Sequence, residues 1–231
     1  MNTIRHKYFM LNILKDIYSD LELVNILGFK GGTALMLFHD LPRFSVDLDF
    51  NLLDTEKEDI VYSKVRKIVL KYGKINDEAK KFFGPLFVLD YGKGERKLKI
   101  EISNRLPLAE YEIKDILGIK GKIMVLRDMF SHKLCALLDR NELVSRDIFD
   151  VWYLLSKQAP VNQNIVEQRM QKPLKEYLQD CIDSIETVKQ TQLLDGLGEL
   201  VNPDLKSFVR NKLKSEVVTL LRFYKEFPIT V

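Results

Sequence analysis

The chain has 231 residues, 46% hydrophobic and 30% charged, with 36 Lys and Arg against 33 Asp and Glu for a net charge of +3. That length and balance belong to a soluble globular protein of one domain or two modest ones, and exclude a disordered or fibrous chain. So mild a charge does not by itself argue for nucleic acid, no apolar run is long enough to span a bilayer, and the first residues lack a signal-peptide layout, so a cytoplasmic protein is expected.

In chain order, Ile4, Tyr8, Leu11, Leu14, Ile17, Tyr18 and Leu21 recur at helical intervals. They predict a helix or a broken pair over 4–27, packed on the N-terminal half. Ile26-Leu27-Gly28-Phe29 then leads to Lys30-Gly31-Gly32-Thr33-Ala34-Leu35, where two glycines precede a short helix over 33–38 that Pro42 stops. Glycines let backbone N–H groups approach a phosphate, and a helix N-terminus adds partial positive charge. The same letters also spell an ordinary turn and N-cap. In Val46-Asp47-Leu48-Asp49-Phe50 the acids and apolar residues alternate with the period of a strand. Val46, Leu48 and Phe50 should point inward, while Asp47 and Asp49 project together from the opposite face. Like charges so placed repel unless a cation lies between them, and carboxylate oxygens suit Mg²⁺. An exposed strand edge is the plainer account of Asp-x-Asp. The order and close spacing of the two stretches favour a site for a metal-bound nucleoside triphosphate.

An amphipathic helix follows over 55–72, with Ile60, Val61, Val65, Ile68 and Val69 on its buried stripe and Gly73 as C-cap. Strands are expected over 86–91 and 96–103, joined by a hairpin at Gly92-Lys93-Gly94. In the second, Leu98, Ile100 and Ile102 face one way and Lys97, Lys99 and Glu101 the other. Glu101 is either part of a solvated charge ladder or a third acid beside Asp47 and Asp49. From Leu126 onward helical periodicity takes over, which places a domain boundary within 105–125. Lys133 lies inside the apolar stripe of Leu126, Met129, Phe130, Leu134, Leu137 and Leu138, either snorkelling to water or reaching into a cleft towards a phosphate. Asp147 and Asp150 share a face of the next helix, where Arg146 can pair with Asp150. Leu174, Tyr177, Leu178, Cys181, Ile182 and Ile185 form a further stripe after Pro173, and a last, basic helix is expected over 205–227. Its lysines and arginines read as a solvated face or as an RNA-contacting edge. Cys135 and Cys181 lack metal spacing and read as buried thiols, and the scattered histidines support neither a zinc site nor a histidine base.

Gly31-Gly32-Thr33 with Asp47-Leu48-Asp49 resembles the signature of the polymerase-β-like nucleotidyltransferases. The fuller wording, Lys30 to Leu35 with Arg43-Phe44-Ser45-Val46-Asp47-Leu48-Asp49-Phe50, resembles the AbiEii/AbiGii (MenT-like) toxin branch. Lys133-Leu134-x-Ala136-Leu137 and Arg146-Asp147-x-x-Asp150 resemble that branch's downstream motifs. The resemblance implies an α+β fold: a catalytic domain over 1–120, built on a small mixed sheet with flanking helices, and a helical domain over 121–231 completing the active-site cleft. It implies Asp47, Asp49 and Glu101 as metal ligands in a two-metal Mg²⁺ site and Asp147 as a further catalytic residue, with Asp150 and the basic last helix as open questions. Gly31, Gly32, Thr33, Ser45 and Lys133 would serve the nucleotide. The implied activity is transfer of NMP from an NTP to RNA, foremost the tRNA 3′ end, stopping translation. A separately encoded antitoxin would hold it in check, and no membrane is involved. A protein acceptor, or a non-catalytic nucleotide- or RNA-binding module on the same fold, are the rival readings.

Overall fold

Alternation of apolar and polar residues builds a sheet, and helical stripes cover one side of it. In the computed structural model, which describes residues 2–105, 108–140 and 142–231, the chain divides into two units. Residues up to Phe38 with Phe44–Met124 form the first, and His39–Arg43 with Val125–Val231 the second.

The first unit contains α1 (Thr3–Ser19), α2 (Leu23–Ile26), β1 (Leu27–Lys30), α3 (Gly31–Phe38), β2 (Asp47–Leu52), α4 (Glu58–Leu70), β3 (Lys74–Lys81), β4 (Gly84–Asp90), β5 (Leu98–Ser103), β6 (Tyr111–Ile116) and β7 (Ile119–Met124). The mixed sheet is larger than expected, with seven strands in the order β3-β4-β5-β2-β1-β7-β6. β2 is central, parallel to β5 and antiparallel to β1. Leu48, Phe50, Ile100, Ile102, Phe29 and Phe87 are fully buried on one face, where α1 and α4 pack. Burying side chains of that size is what stabilises the sheet, at about 1.5–3 kcal/mol each. The opposite face of β2 carries Asp47 and Asp49.

Several expectations need correcting. β3, β6 and β7 are strands where none was read, and Leu27–Lys30 is a strand rather than a mere approach. Residues 106 and 107, inside the expected boundary, lie outside the described residues. Gly73 does not take a left-handed conformation, and α4 ends at Leu70. The buried face of α1 keeps the expected Leu14, Ile17 and Tyr18 but differs in its first turns. Ile4, Tyr8 and Leu21 are exposed, whereas His6, Met10, Ile13, Leu14, Ile17 and Tyr18 are buried.

His6 can be buried in the first turns because its polar atoms are matched. Nε2 lies 2.9 Å from the Val46 carbonyl, which can only accept, so Nε2 carries the proton and Nδ1 accepts from the Tyr91 hydroxyl at 2.5 Å. Burial pushes the imidazole below its ordinary pKa, so it is neutral in the folded protein. The unfolded chain therefore binds a proton at higher pH than the folded one, and stability present above about pH 6.5 is lost as pH falls towards the lowered folded value. The melting temperature of the wild type should fall more steeply than that of a His6→Asn variant between about pH 7 and about pH 5, as read by thermal denaturation.

The second unit contains α5 (Leu126–Ala136), α6 (Ser145–Ser156), α7 (Gln163–Met170), α8 (Leu174–Thr187), α9 (Pro203–Asn211) and α10 (Leu213–Glu226). All six apolar residues expected on α8 are buried, and α8 packs on α10. The last helix is not continuous but breaks at Lys212, between α9 and α10. Cys135 and Cys181 are buried, and desolvation pushes both thiols up to about 12, which leaves them unreactive. The Tyr153 hydroxyl donates to the His39 carbonyl at 2.9 Å, tying the 39–43 segment to α6. No helix among the described residues is long and apolar enough to cross a membrane.

Candidate active site

The site in the first unit begins with a glycine that no other residue can replace. Gly31 opens α3 with φ at 81°, and a Cβ built there would lie 2.6 Å from Asp49 Oδ2. The elbow thus needs both a left-handed backbone and the absence of a side chain. Gly31, Gly32 and Thr33 form the first turn of α3, whose N–H groups have no intrahelical acceptor. Thr33 is buried, and its hydroxyl donates to the Asp47 carbonyl at 2.5 Å, so it fixes the start of β2 against the elbow. Ser45 is also buried, with its N–H donating to Met36 Sδ at 3.3 Å.

Asp47 and Asp49 alternate with buried Leu48 and Phe50, so they leave β2 on one face, half-buried. Burial, with the charge of Asp47 next, pushes the Asp49 carboxyl above the usual carboxylate range, and Lys99 and Lys30 only partly offset this. Glu101 stands directly across from Asp49 in the parallel β2–β5 register. Its carboxylate is held by Lys99 Nζ at 2.8 Å. Burial opposes ionisation of Glu101, but Lys99, Lys30 and Lys81 outweigh it and hold the group below its ordinary value. The three-acid cage expected from the sequence is not assembled: among the described residues no three acids, histidines or cysteines converge to hold a metal ion. The Asp47–Asp49 pair does fit a divalent cation, since it offers hard oxygens on one face and an excess of negative charge.

A second constellation lies within the second unit. Arg43 forms a bidentate pair with Asp150, Nε to Oδ1 at 2.6 Å and Nη2 to Oδ2 at 2.7 Å. Lys133 Nζ reaches Asp150 Oδ2 at 2.7 Å and Asp147 Oδ1 at 3.0 Å. Burial opposes charge on both partners, yet Arg43 and Lys133 keep Asp150 below its ordinary value, and Asp150 and Asp147 keep Lys133 above its own. The partner of Asp150 is therefore Arg43, not the Arg146 suggested by helical spacing. Asp147 Oδ2 is buried, makes no hydrogen bond among the described residues, and lies 3.6 Å from Arg140 Nη2. Sequence reasoning gave no role to Arg43 or Arg140, and read Lys99 only as a member of a charge ladder with Glu101, which its ion pair to that carboxylate matches. Of the two without a role, Arg43 carried a signal, as the first letter of the run that contains Asp47-Leu48-Asp49.

Residues 12–222 match the family model described as nucleotidyl transferase AbiEii toxin, type IV toxin–antitoxin system. The chain belongs to the AbiEii family. An AbiEii protein is a nucleotidyltransferase toxin, with an NTP as substrate and a separate antitoxin as counterpart. Its fold is similar to that of a candidate nucleotidyltransferase from H. pylori, at 23% identity and TM-score 0.65, covering 97% of this chain and 95% of that one. JHP933 from Helicobacter pylori is also similar, at 23% identity and TM-score 0.63 over 97% and 92% of the two chains. So is the MenT4 nucleotidyltransferase toxin from Mycobacterium tuberculosis, at 17% identity and TM-score 0.58 over 92% and 83%. At these identities the likeness is one of fold. No curated protein matches the sequence significantly.

Proposed function

We propose that this AbiEii protein transfers NMP from an NTP to an RNA acceptor, the tRNA 3′ end, in a divalent-metal-dependent reaction in the cytoplasm that stops translation. The observation that carries the reading is the Asp47–Asp49 pair beside the Gly31 elbow, a negative site adjoining first-turn N–H groups that have no intrahelical acceptor. Asp47 and Asp49 would hold Mg²⁺, which supplies charge neutralisation on the triphosphate and lowers the pKa of the attacking hydroxyl. Glu101 would be a third ligand only if Lys99 released it. The N–H groups of Gly31, Gly32 and Thr33 face the triphosphate as fixed donors, and Ser45 supports the run between elbow and strand. On the family resemblance, Lys133 would serve the nucleotide by offsetting charge on the triphosphate. On the same resemblance, Asp147 would orient the incoming hydroxyl or act as its base, while Asp150 holds Lys133.

Incubation with labelled NTPs, Mg²⁺ and total tRNA, followed by mass spectrometry of RNA and protein, tests the reading. Label is expected at the RNA 3′ end. Label on protein instead would assign a protein acceptor, and NTP binding without transfer to either would leave a binding module.

A further inference from the structure

The β3–β4 hairpin ends on a feature that neither turn chemistry nor the core explains. Its connection is Phe82-Phe83. Two-residue hairpin turns usually take Asn, Asp or Gly, because their central residues need positive φ. Here neither phenylalanine supplies it; Gly84 does, at φ 106°. Phe82 is 88% exposed and Phe83 48%, so burial does not account for the rings either. Exposed apolar groups held together in this way mark binding surfaces.

The tip is also braced. Asn104 N–H donates to the Phe83 carbonyl at 3.1 Å, and its Nδ2 donates to the Phe82 carbonyl at 3.3 Å and to Glu58 Oε2 at 2.9 Å. Phe82 stands edge-on to Phe83, with centroids 4.9 Å apart. The Arg105 guanidinium covers the Phe83 ring at 3.7 Å. One ring is thus backed by a cation, and the other is offered to solvent.

Strand register places Lys81, the residue before the tip, on the acid-bearing face. Lys81 lies opposite Gly84 in the β3–β4 pair, Leu86 opposite Glu101, and Glu101 opposite Asp49. Gly84 and Leu86 are two apart, so the exposed Lys81 emerges on the same face as Glu101 and Asp49. Lys81 also acts electrostatically on Glu101. Lys80, on the other face, is neutralised by Asp59 and lies 5.0 Å from the Tyr62 ring. β3 is three strand spacings from β2, about 14 Å, the reach of a few unpaired nucleotides. Flat rings flanked by cations fit stacked bases and phosphates better than they fit the broad apolar surface of a protein partner.

We infer that Phe82, supported by Phe83, Lys81 and Arg105, is a stacking platform for an unpaired base of the acceptor strand. The inference rests on the RNA-acceptor reading and adds where that strand docks. Fluorescence anisotropy of a labelled short single-stranded oligoribonucleotide, without NTP, tests it on the full chain. Phe82→Ala should weaken binding about 5- to 100-fold, with melting temperature and NTP binding unchanged. Phe82→Trp should retain affinity, and its indole emission should be quenched by RNA. Equal affinity of wild type and Phe82→Ala, with no quenching in Phe82→Trp, overturns the platform while leaving the acceptor reading intact. A wild type that binds NTP and labels protein but does not bind the oligoribonucleotide overturns the acceptor reading, and the platform with it.

Discussion

Asp49→Asn should lower nucleotidyl transfer by about 10³-fold or more, since it removes charge from the pair that would hold the cation, a loss of several kcal/mol. In EDTA the same substitution should raise the melting temperature. Burial and the charge of Asp47 push the Asp49 carboxyl above its ordinary range, so its ionised form destabilises the fold at neutral pH. A neutral isostere relieves that penalty, and each kcal/mol recovered corresponds to about 2–4 °C in a chain of this size. With Mn²⁺ or Mg²⁺ present the order should reverse, because binding stabilises only the wild type. Transfer assays beside paired melting curves read both effects. Undiminished transfer in Asp49→Asn would remove the acid pair from the chemistry.

Asp150→Ala should destabilise the second unit by about 3–5 kcal/mol, because it leaves Arg43 and Lys133 buried without their shared carboxylate. The guanidinium of Arg43 is nearly inaccessible, and its two hydrogen bonds to Asp150 are both short. Removing both partners should cost much less than removing one. Arg43→Met with Asp150→Leu replaces the pair by apolar groups and leaves Lys133 its bond to Asp147. Urea denaturation of the single and double variants measures the difference. Additive losses would show that the pair does not act as a unit.

The centre of the sheet was legible because strands covered on one face must alternate. Val46 to Phe50 and Leu98 to Ile102 do so, and with them came the placement of Asp47, Asp49 and Glu101. α8 was legible for the corresponding helical reason. β3 was not, because Lys74–Lys81 is an edge strand exposed along much of both faces and held by backbone pairing to β4, which leaves no hydrophobic period. The later turns of α1 were legible in Leu14, Ile17 and Tyr18, but the first turns were not, because a histidine counts as polar until Tyr91 and Val46 are known to satisfy it. The break at Lys212 carries neither proline nor glycine. Arg43 and Asp150 are separated by 107 residues, and no local pattern reports such a pairing. Lys99 was visible as a neighbour of Glu101, but its grip on that carboxylate is a matter of rotamer.

The short His39–Arg43 excursion makes the protein hard to dissect. A plasmid encoding only Val125–Val231 would yield a fragment in which Asp150 has lost its guanidinium, and one encoding everything up to Met124 would carry Arg43 without Asp150. Deletion mapping that treats the halves as interchangeable cassettes would therefore score misfolding as loss of function. A fragment-complementation design needs the five-residue His39–Arg43 segment on the same polypeptide as α6.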